Sequence, residues 1–164
     1  MSEKFLCVMA GFDEKSEQTL TKLQNTLYDH GFVGNQTKDI PLHITLGMFD
    51  VSQENEIYEL VKRVSKNNPS FDITFNHIGI FGGSNVLFIA PDNNRELLCL
   101  KENFGDSYDW TPHITMLIDK PEQIYQSIPI LSNYFHKFEG RVNKLYLYEF
   151  WPTRFILSET LVME

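Results

Sequence analysis

A short pattern of alternating apolar and polar residues occurs twice in this chain, at positions 70 residues apart. The first copy is Pro41-Leu42-His43-Ile44-Thr45-Leu46 and the second is Pro112-His113-Ile114-Thr115-Met116. A second pair of similar segments begins at Phe71 and at Phe138, with an offset of 67 residues. Because the two offsets nearly agree, we interpret the chain as two matched halves, roughly residues 1–81 and 84–164.

Hydrophobic periodicity and turn residues predict the same order of elements in each half: strand, helix, strand, helix, strand. The predicted strands are Phe5–Ala10, a segment within Lys38–Phe49, Phe71–Phe81, Val86–Ala90, His113–Ile118, Phe138–Phe150 and a last strand at Arg154–Val162. The predicted helices are Asp13–His30, a helix that Ser52 caps and Pro69 ends, Asn93–Phe104, and Pro121–Phe135 with a kink or break at Pro129. We therefore expect one bilobal α+β domain over residues 1–164. It would have two β-sheets with flanking helices around a central cleft on a pseudo-twofold axis.

Composition limits the class of protein. The 164 residues suffice for one domain with a real core, and 42% of them are hydrophobic. A net charge of −8 argues against a general binder of phosphate backbones. Both Cys7 and Cys99 lie in apolar runs, which predicts buried free thiols. Without a signal peptide or a membrane-spanning run, we expect a cytoplasmic monomer that does not bind membranes.

The alternation of side chains along a strand separates each motif into two faces. Leu42, Ile44 and Leu46 share one face of the first motif, and His43 and Thr45 share the other with Gly47. The second motif repeats this division, with Leu117 expected on the face of its His and Thr. A polar side chain buried without a partner costs about 1–3 kcal/mol, so a cleft is the better place for these residues.

Two imidazoles that face one cleft suit acid–base chemistry, because one histidine can be neutral while the other is protonated near pH 7. The hydroxyls of Thr45 and Thr115 can donate to phosphate oxygens. Neither motif carries a cluster of metal ligands, so we expect neither a metal nor another cofactor. A single His-x-Thr is more often structural, whereas two copies in matched halves favour catalysis by His43 and His113.

The doubled motif resembles that of the two-histidine (2H) phosphoesterase superfamily, which includes 2′-5′ RNA ligase-like proteins and cyclic nucleotide phosphodiesterases. The resemblance implies metal-free hydrolysis of a cyclic phosphate or 2′-linked phosphodiester on a nucleotide or RNA 3′ end. His43, Thr45, His113 and Thr115 match the family pattern. By analogy with the cyclic phosphodiesterases, His113 would activate water and His43 would protonate the leaving oxygen, although the near symmetry of the motifs allows the reverse.

Four other residues are candidates for substrate binding. Phe49 shares the strand parity of His43, Trp110 shortly precedes His113, Trp151 follows the long strand, and Arg154 can meet a phosphate; core packing or simple exposure is the alternative for each. Few basic residues lie near either motif, which favours a small substrate. Two alternatives stay open: a nucleotide or RNA-end binding module without turnover, and a 2′-5′ RNA ligase.

Overall fold

Seven strands and four helices make up the computed structural model, which describes residues 3–163. The strands are β1 (Phe5–Phe12), β2 (Ile44–Asp50), β3 (Phe71–Ile80), β4 (Val86–Pro91), β5 (Ile114–Ile118), β6 (Phe138–Phe150) and β7 (Arg154–Thr160). The helices are α1 (Glu14–Asp29), α2 (Glu54–Asn67), α3 (Arg95–Glu102) and α4 (Pro121–Tyr134). The α+β class expected from the sequence is confirmed, with element bounds close to the predicted ones.

All seven strands belong to one antiparallel sheet of order β2-β1-β6-β3-β4-β5, to which β7 adds beside β6. The expectation of two separate sheets was therefore wrong. The reason is the 13-residue length of β6. One edge of β6 pairs with β1, while β3 pairs with its first five residues and β7 with residues 144–149. This strand thus joins both halves into a continuous sheet.

The strand order is symmetric about the junction between β6 and β3. On one side of this junction lie β2 and β1, and on the other lie β5 and β4. Each half therefore contributes an outer pair of strands, and its third strand pairs with the inner strand of the other half. The antiparallel pairing of β3 with β6 is what a twofold relation between the halves requires. This order supports the interpretation as two repeats, which stays a prediction.

Alternate residues of the strands separate the core from the opposite face of the sheet. In β1, Leu6, Val8, Ala10 and Phe12 are fully buried in a cluster to which all four helices contribute. Burying each of the three larger side chains favours folding by roughly 1.5–3 kcal/mol. The residues between them, Cys7 and Met9, pack instead with three aromatic residues of β6: Tyr146, Tyr148 and Phe150.

Three local expectations differ from the structure. Asp50, not Ser52, caps the second helical segment, because the Ser52 amide donates to the Asp50 carboxylate across a 3-10 turn that precedes α2. Helix α4 continues through Pro129, so the break is excluded, while the kink stays a prediction. Cys99 is exposed, since the buried side of α3 carries Leu97 and Leu100. Cys7 is buried, as expected.

Candidate functional site

The two histidines occupy matching positions, each directly before the first residue of an outer strand. His43 Nδ1 lies 2.8 Å from the carbonyl oxygen of Pro41, and His113 Nδ1 lies 2.8 Å from that of Thr111. A carbonyl oxygen only accepts, so Nδ1 of each ring carries the hydrogen. Both neutral rings are thereby held in the tautomer that leaves Nε2 unprotonated.

Burial sets the charge of these rings. It lowers the pKa of His43 to about 4, although the hydrogen bond to Pro41 acts in the opposite direction. The positive charge of His113 makes a smaller contribution to this lowered pKa, in the same direction as burial. Burial also lowers the pKa of His113. In the ligand-free protein, His43 is therefore neutral at pH 7.

Two phenylalanines fix the orientation of the His113 ring. Phe81 meets it edge-on with ring centroids 4.7 Å apart, and Phe88 lies 5.4 Å away. The Phe88 ring packs directly over Gly79, where an added Cβ would come within 2.6 Å of the ring. Sequence reasoning missed both aromatic residues. Their contact arises because β4 pairs with β3 and β5 at once, and nothing in the local pattern indicates this pairing.

A cavity of about 540 Å³ is lined by His43 together with Thr45 and Thr115. Most of its remaining wall comes from β1, β6, α1 and the loop of residues 36–42. This volume is within the range of pockets that hold drug-sized ligands. His113 does not line the cavity, although Thr115, two residues after it, does.

Matching β-bulges follow the two threonines. Pairing of β1 with β2 leaves Leu46 without a partner, and pairing of β4 with β5 leaves Met116 without one. The extra residue reverses the alternation, because two residues then oppose one. Three residues after each threonine, Met48 and Ile118 line the cavity. Leu117, expected beside Thr115, is fully buried in the core instead.

The thiol of Cys7 contacts the first motif from the neighbouring strand. Cys7 Sγ lies 3.9 Å from Thr45 Oγ1 and also lines the cavity. Burial raises the pKa of this thiol to about 11, against the smaller effect of Thr45, so it stays protonated and can donate to the hydroxyl. A small, neutral group therefore forms this part of the wall.

The four candidate substrate-binding residues have different surroundings. Trp151 lines the cavity, is 53% exposed, and donates from Nε1 to Thr37 Oγ1 at 2.9 Å. Phe49 packs against the core, because the bulge at Leu46 turns it away from His43. Trp110 also packs against the core, and its Nε1 donates to the backbone oxygen of Thr45 at 3.2 Å.

Arg154 is engaged elsewhere. Its guanidinium forms ion pairs with Glu149, at 3.1 Å, and with Glu54, and these bonds raise the pKa of Arg154 above its ordinary value. It does not line the cavity. Within residues 3–163, no three His, Cys, Asp or Glu side chains are grouped to hold a metal ion. Over the same residues, no helix is long and apolar enough to cross a membrane.

Fold and site together define a class: an α+β protein with one antiparallel sheet, paired outer strands and a histidine at the start of each. The family model of the 2′-5′ RNA ligase superfamily matches residues 12–150, so the chain belongs to this superfamily of two-histidine phosphoesterases and ligases. No curated protein sequence matches the chain significantly.

Solved structures show the same fold. The chain is similar to Escherichia coli LigT in its apo form, with 19% identity, a TM-score of 0.66, and coverage of 98% of this chain and 99% of LigT. TT0787 of Thermus thermophilus has 15% identity, a TM-score of 0.66 and the same coverage. LigT complexed with 3′-AMP has 18% identity, a TM-score of 0.65 and again the same coverage.

Proposed function

We propose that this protein is a metal-independent phosphoesterase that hydrolyses a cyclic phosphate or a 2′-linked phosphodiester on a nucleotide or RNA 3′ end. One observation carries the proposal: the matched hydrogen bonds from Nδ1 of His43 and His113 to backbone oxygens two residues before them. These bonds reserve both Nε2 atoms for proton transfer. A module that only bound phosphate would have no use for two proton carriers held in the same tautomer.

The reaction needs one imidazole of each protonation state. Nε2 of the neutral ring takes a proton from water while the water oxygen attacks phosphorus. The bond from phosphorus to the leaving ribose oxygen breaks, and that oxygen takes the proton from Nε2 of the charged ring. The hydroxyls of Thr45 and Thr115 donate to the non-bridging oxygens, which accumulate negative charge during the attack. The ring that acted as base then releases its extra proton to solvent, and the ring that acted as acid regains one from solvent.

Two arguments assign the roles of the histidines in opposite ways. Resemblance to the cyclic phosphodiesterases gives His113 as base and His43 as acid. Burial lowers the pKa of His43 and keeps it neutral, which favours His43 as the base in the ligand-free protein. A bound phosphate raises the pKa of both rings, because negative charge stabilises the protonated form. The position of the product phosphate identifies the leaving ribose oxygen, and the pH dependence of kcat/KM in the two histidine variants distinguishes the assignments.

The nature of the ligand is supported by the cavity and by the relatives. The LigT structures include complexes with phosphate, ATP and 3′-AMP. In this chain, the cavity presents Trp151 with Phe5 and Phe150, and the Phe5 and Trp151 rings meet edge-on at 5.4 Å. Aromatic faces stack on nucleic acid bases with little sequence preference. A nucleoside with its phosphate toward His43 therefore suits this wall.

Turnover of 2′,3′-cyclic nucleotides, of short RNAs ending in a cyclic phosphate and of 2′-5′ linked dinucleotides, all with EDTA present, tests the proposal. We expect His43→Ala and His113→Ala to lower kcat by about 10²–10⁴-fold each. His136→Ala is the matched control, because His136 is exposed and outside the cavity. Full activity in either histidine variant, or a need for added metal, would contradict the mechanism. Nucleotide binding without any turnover by the wild type would identify a binding module.

A further inference from the structure

The cavity beside His43 lies between the two outermost strands of the sheet. Thr45 is on β2 and Thr115 is on β5, at opposite ends of the strand order. Five strand spacings would separate them by roughly 24 Å in a flat sheet. Both threonines nevertheless line one cavity, so the sheet curls and brings its two edges near each other. Within residues 3–163, no strand pairing joins β2 to β5, so other contacts must hold the edges together.

A buried glutamine makes one of these contacts. Gln36, on the loop between α1 and β2, accepts a hydrogen bond at Oε1 from the backbone amide of Ile118 on β5, at 3.0 Å. Its Nε2 donates to the backbone oxygen of Val33 at 2.8 Å and to the hydroxyl of Tyr28 at 2.9 Å. Gln36 is only 7% exposed, and both hydrogens of its amide are used. The side chain therefore fixes this loop against β5.

The backbone of the loop follows the same edge of β5. The Asn35 amide donates to the Ile118 oxygen at 2.7 Å, so Ile118 is bonded to the loop through both its amide and its carbonyl group. Gly34 has a φ of +70°, and an added Cβ there would come within 2.7 Å of the same Ile118 oxygen. From α1, Gln24 Nε2 donates to the Met116 oxygen at 3.0 Å. Residues of the first half thus take the place of a partner strand along β5.

The separation of the two motifs matters for the chemistry. Thr45 and Thr115 can donate to the same phosphate only if their strands stay at one distance from each other. Such donors act over about 2.7–3.1 Å, and a displacement of about 1 Å can cost about a hundredfold in rate. We propose that Gln36 is a positioning residue, which sets this distance by holding β5 against the first half of the chain. The inference rests on the proposed function and adds a residue that acts through β5.

The Gln36→Met variant tests this role, because methionine keeps the length of the side chain and removes its amide. On the substrate that the wild type hydrolyses, we expect kcat to fall about 10–100-fold. KM should change less than about threefold, because the misplaced donor is needed mainly in the transition state. Two controls should keep the wild-type kcat. Gln18→Met removes an exposed glutamine amide of α1, and Ile57→Val loosens the core at α2, away from the cavity.

Two further measurements do not depend on Gln36→Met folding or on turnover. Gly34→Ala leaves Gln36 in place and should lower kcat in the same way, because its new Cβ pushes the loop away from β5. Inorganic phosphate is the probe for an NMR titration. In the wild type, phosphate should shift the amide resonances of both Thr45 and Thr115. In Gln36→Met, and in Gly34→Ala, the shift at Thr115 should be lost.

A wild-type kcat in folded Gln36→Met, or an equal loss in this variant and in the controls, would overturn the inference. A raised KM with unchanged kcat would also overturn it, because Gln36 would then contact the substrate directly. Failure of the proposed function gives a different result, no turnover of any substrate by the wild type. The phosphate titration then decides: selective loss of the Thr115 shift supports the positioning role, and unchanged shifts at both threonines refute it.

Discussion

Because His43 is neutral in the folded protein, it should make the free energy of unfolding depend on pH, and replacing His43 by glutamine should remove this dependence. Burial lowers the pKa of His43 from its usual 6.5 to about 4. The unfolded chain therefore binds more protons than the folded chain between these pH values, and stability falls as the pH falls through this window. From these two pKa values, the loss between pH 7 and pH 5 is about 2 kcal/mol of unfolding free energy. The His43→Gln variant should lack this contribution.

Urea denaturation followed by circular dichroism at both pH values measures the effect. The quantity of interest is the change in unfolding free energy from pH 7 to pH 5, compared between wild type and variant. This comparison cancels the contributions of titrating groups that do not interact with His43. His136→Gln is the control for the loss of a histidine, since His136 is exposed.

Equal pH dependence of the wild type and the His43→Gln variant would refute the reasoning. An NMR titration of the imidazole carbons gives an independent measure, with the pKa of His43 expected well below its usual 6.5. A His43 pKa near 6.5 would show that the ring is not desolvated. Burial would then give no reason to prefer His43 as the base.

Three further predictions concern the sheet and the cavity wall. Phe75→Ala should lower the free energy of unfolding, measured by urea denaturation, by about 3–5 kcal/mol, because the ring is fully buried between two other phenylalanines. Gly11→Ala should lower the free energy of unfolding in the same assay by about 1–3 kcal/mol, since the new Cβ would overlap the Tyr146 ring. This loss should be smaller in a protein that also carries Tyr146→Ala. Trp151→Ala should weaken nucleotide binding in calorimetry by about 1–3 kcal/mol, whereas Trp110→Phe should leave it unchanged; the reverse order would exclude Trp151 as the base platform.

Local patterns in the sequence predicted most of the elements. Alternation of apolar residues marks the strands, and the three- and four-residue spacing of Leu20, Leu23 and Leu27 marks α1, where all three are buried. The two motifs were also visible locally, because a His and a Thr on one face interrupt an apolar strand. Signals of this kind need no knowledge of partners, so the sequence suffices for them.

The bulges show where such reasoning stops. Period-two alternation placed Phe49 beside His43 and Leu117 beside Thr115, yet Met48 and Ile118 line the cavity. An unpaired residue at Leu46 or Met116 depends on how the neighbouring strand aligns, and no local signal reports that alignment. The same limit applies to Arg154, whose exposure could be expected but whose partner Glu54 is 100 residues away.

The sequence by itself determined the α+β class, nearly all element positions and the two pairs of His and Thr, because each depends on residues close together in the chain. Only the tertiary structure decided that one long strand, β6, joins the halves into a single sheet. It also brought Lys144 beside Lys15 and Lys22, although basic residues are scarce near both motifs. Strand pairing and the lining of the cavities depend on contacts between residues far apart in sequence, and burial of the shared core selects those contacts.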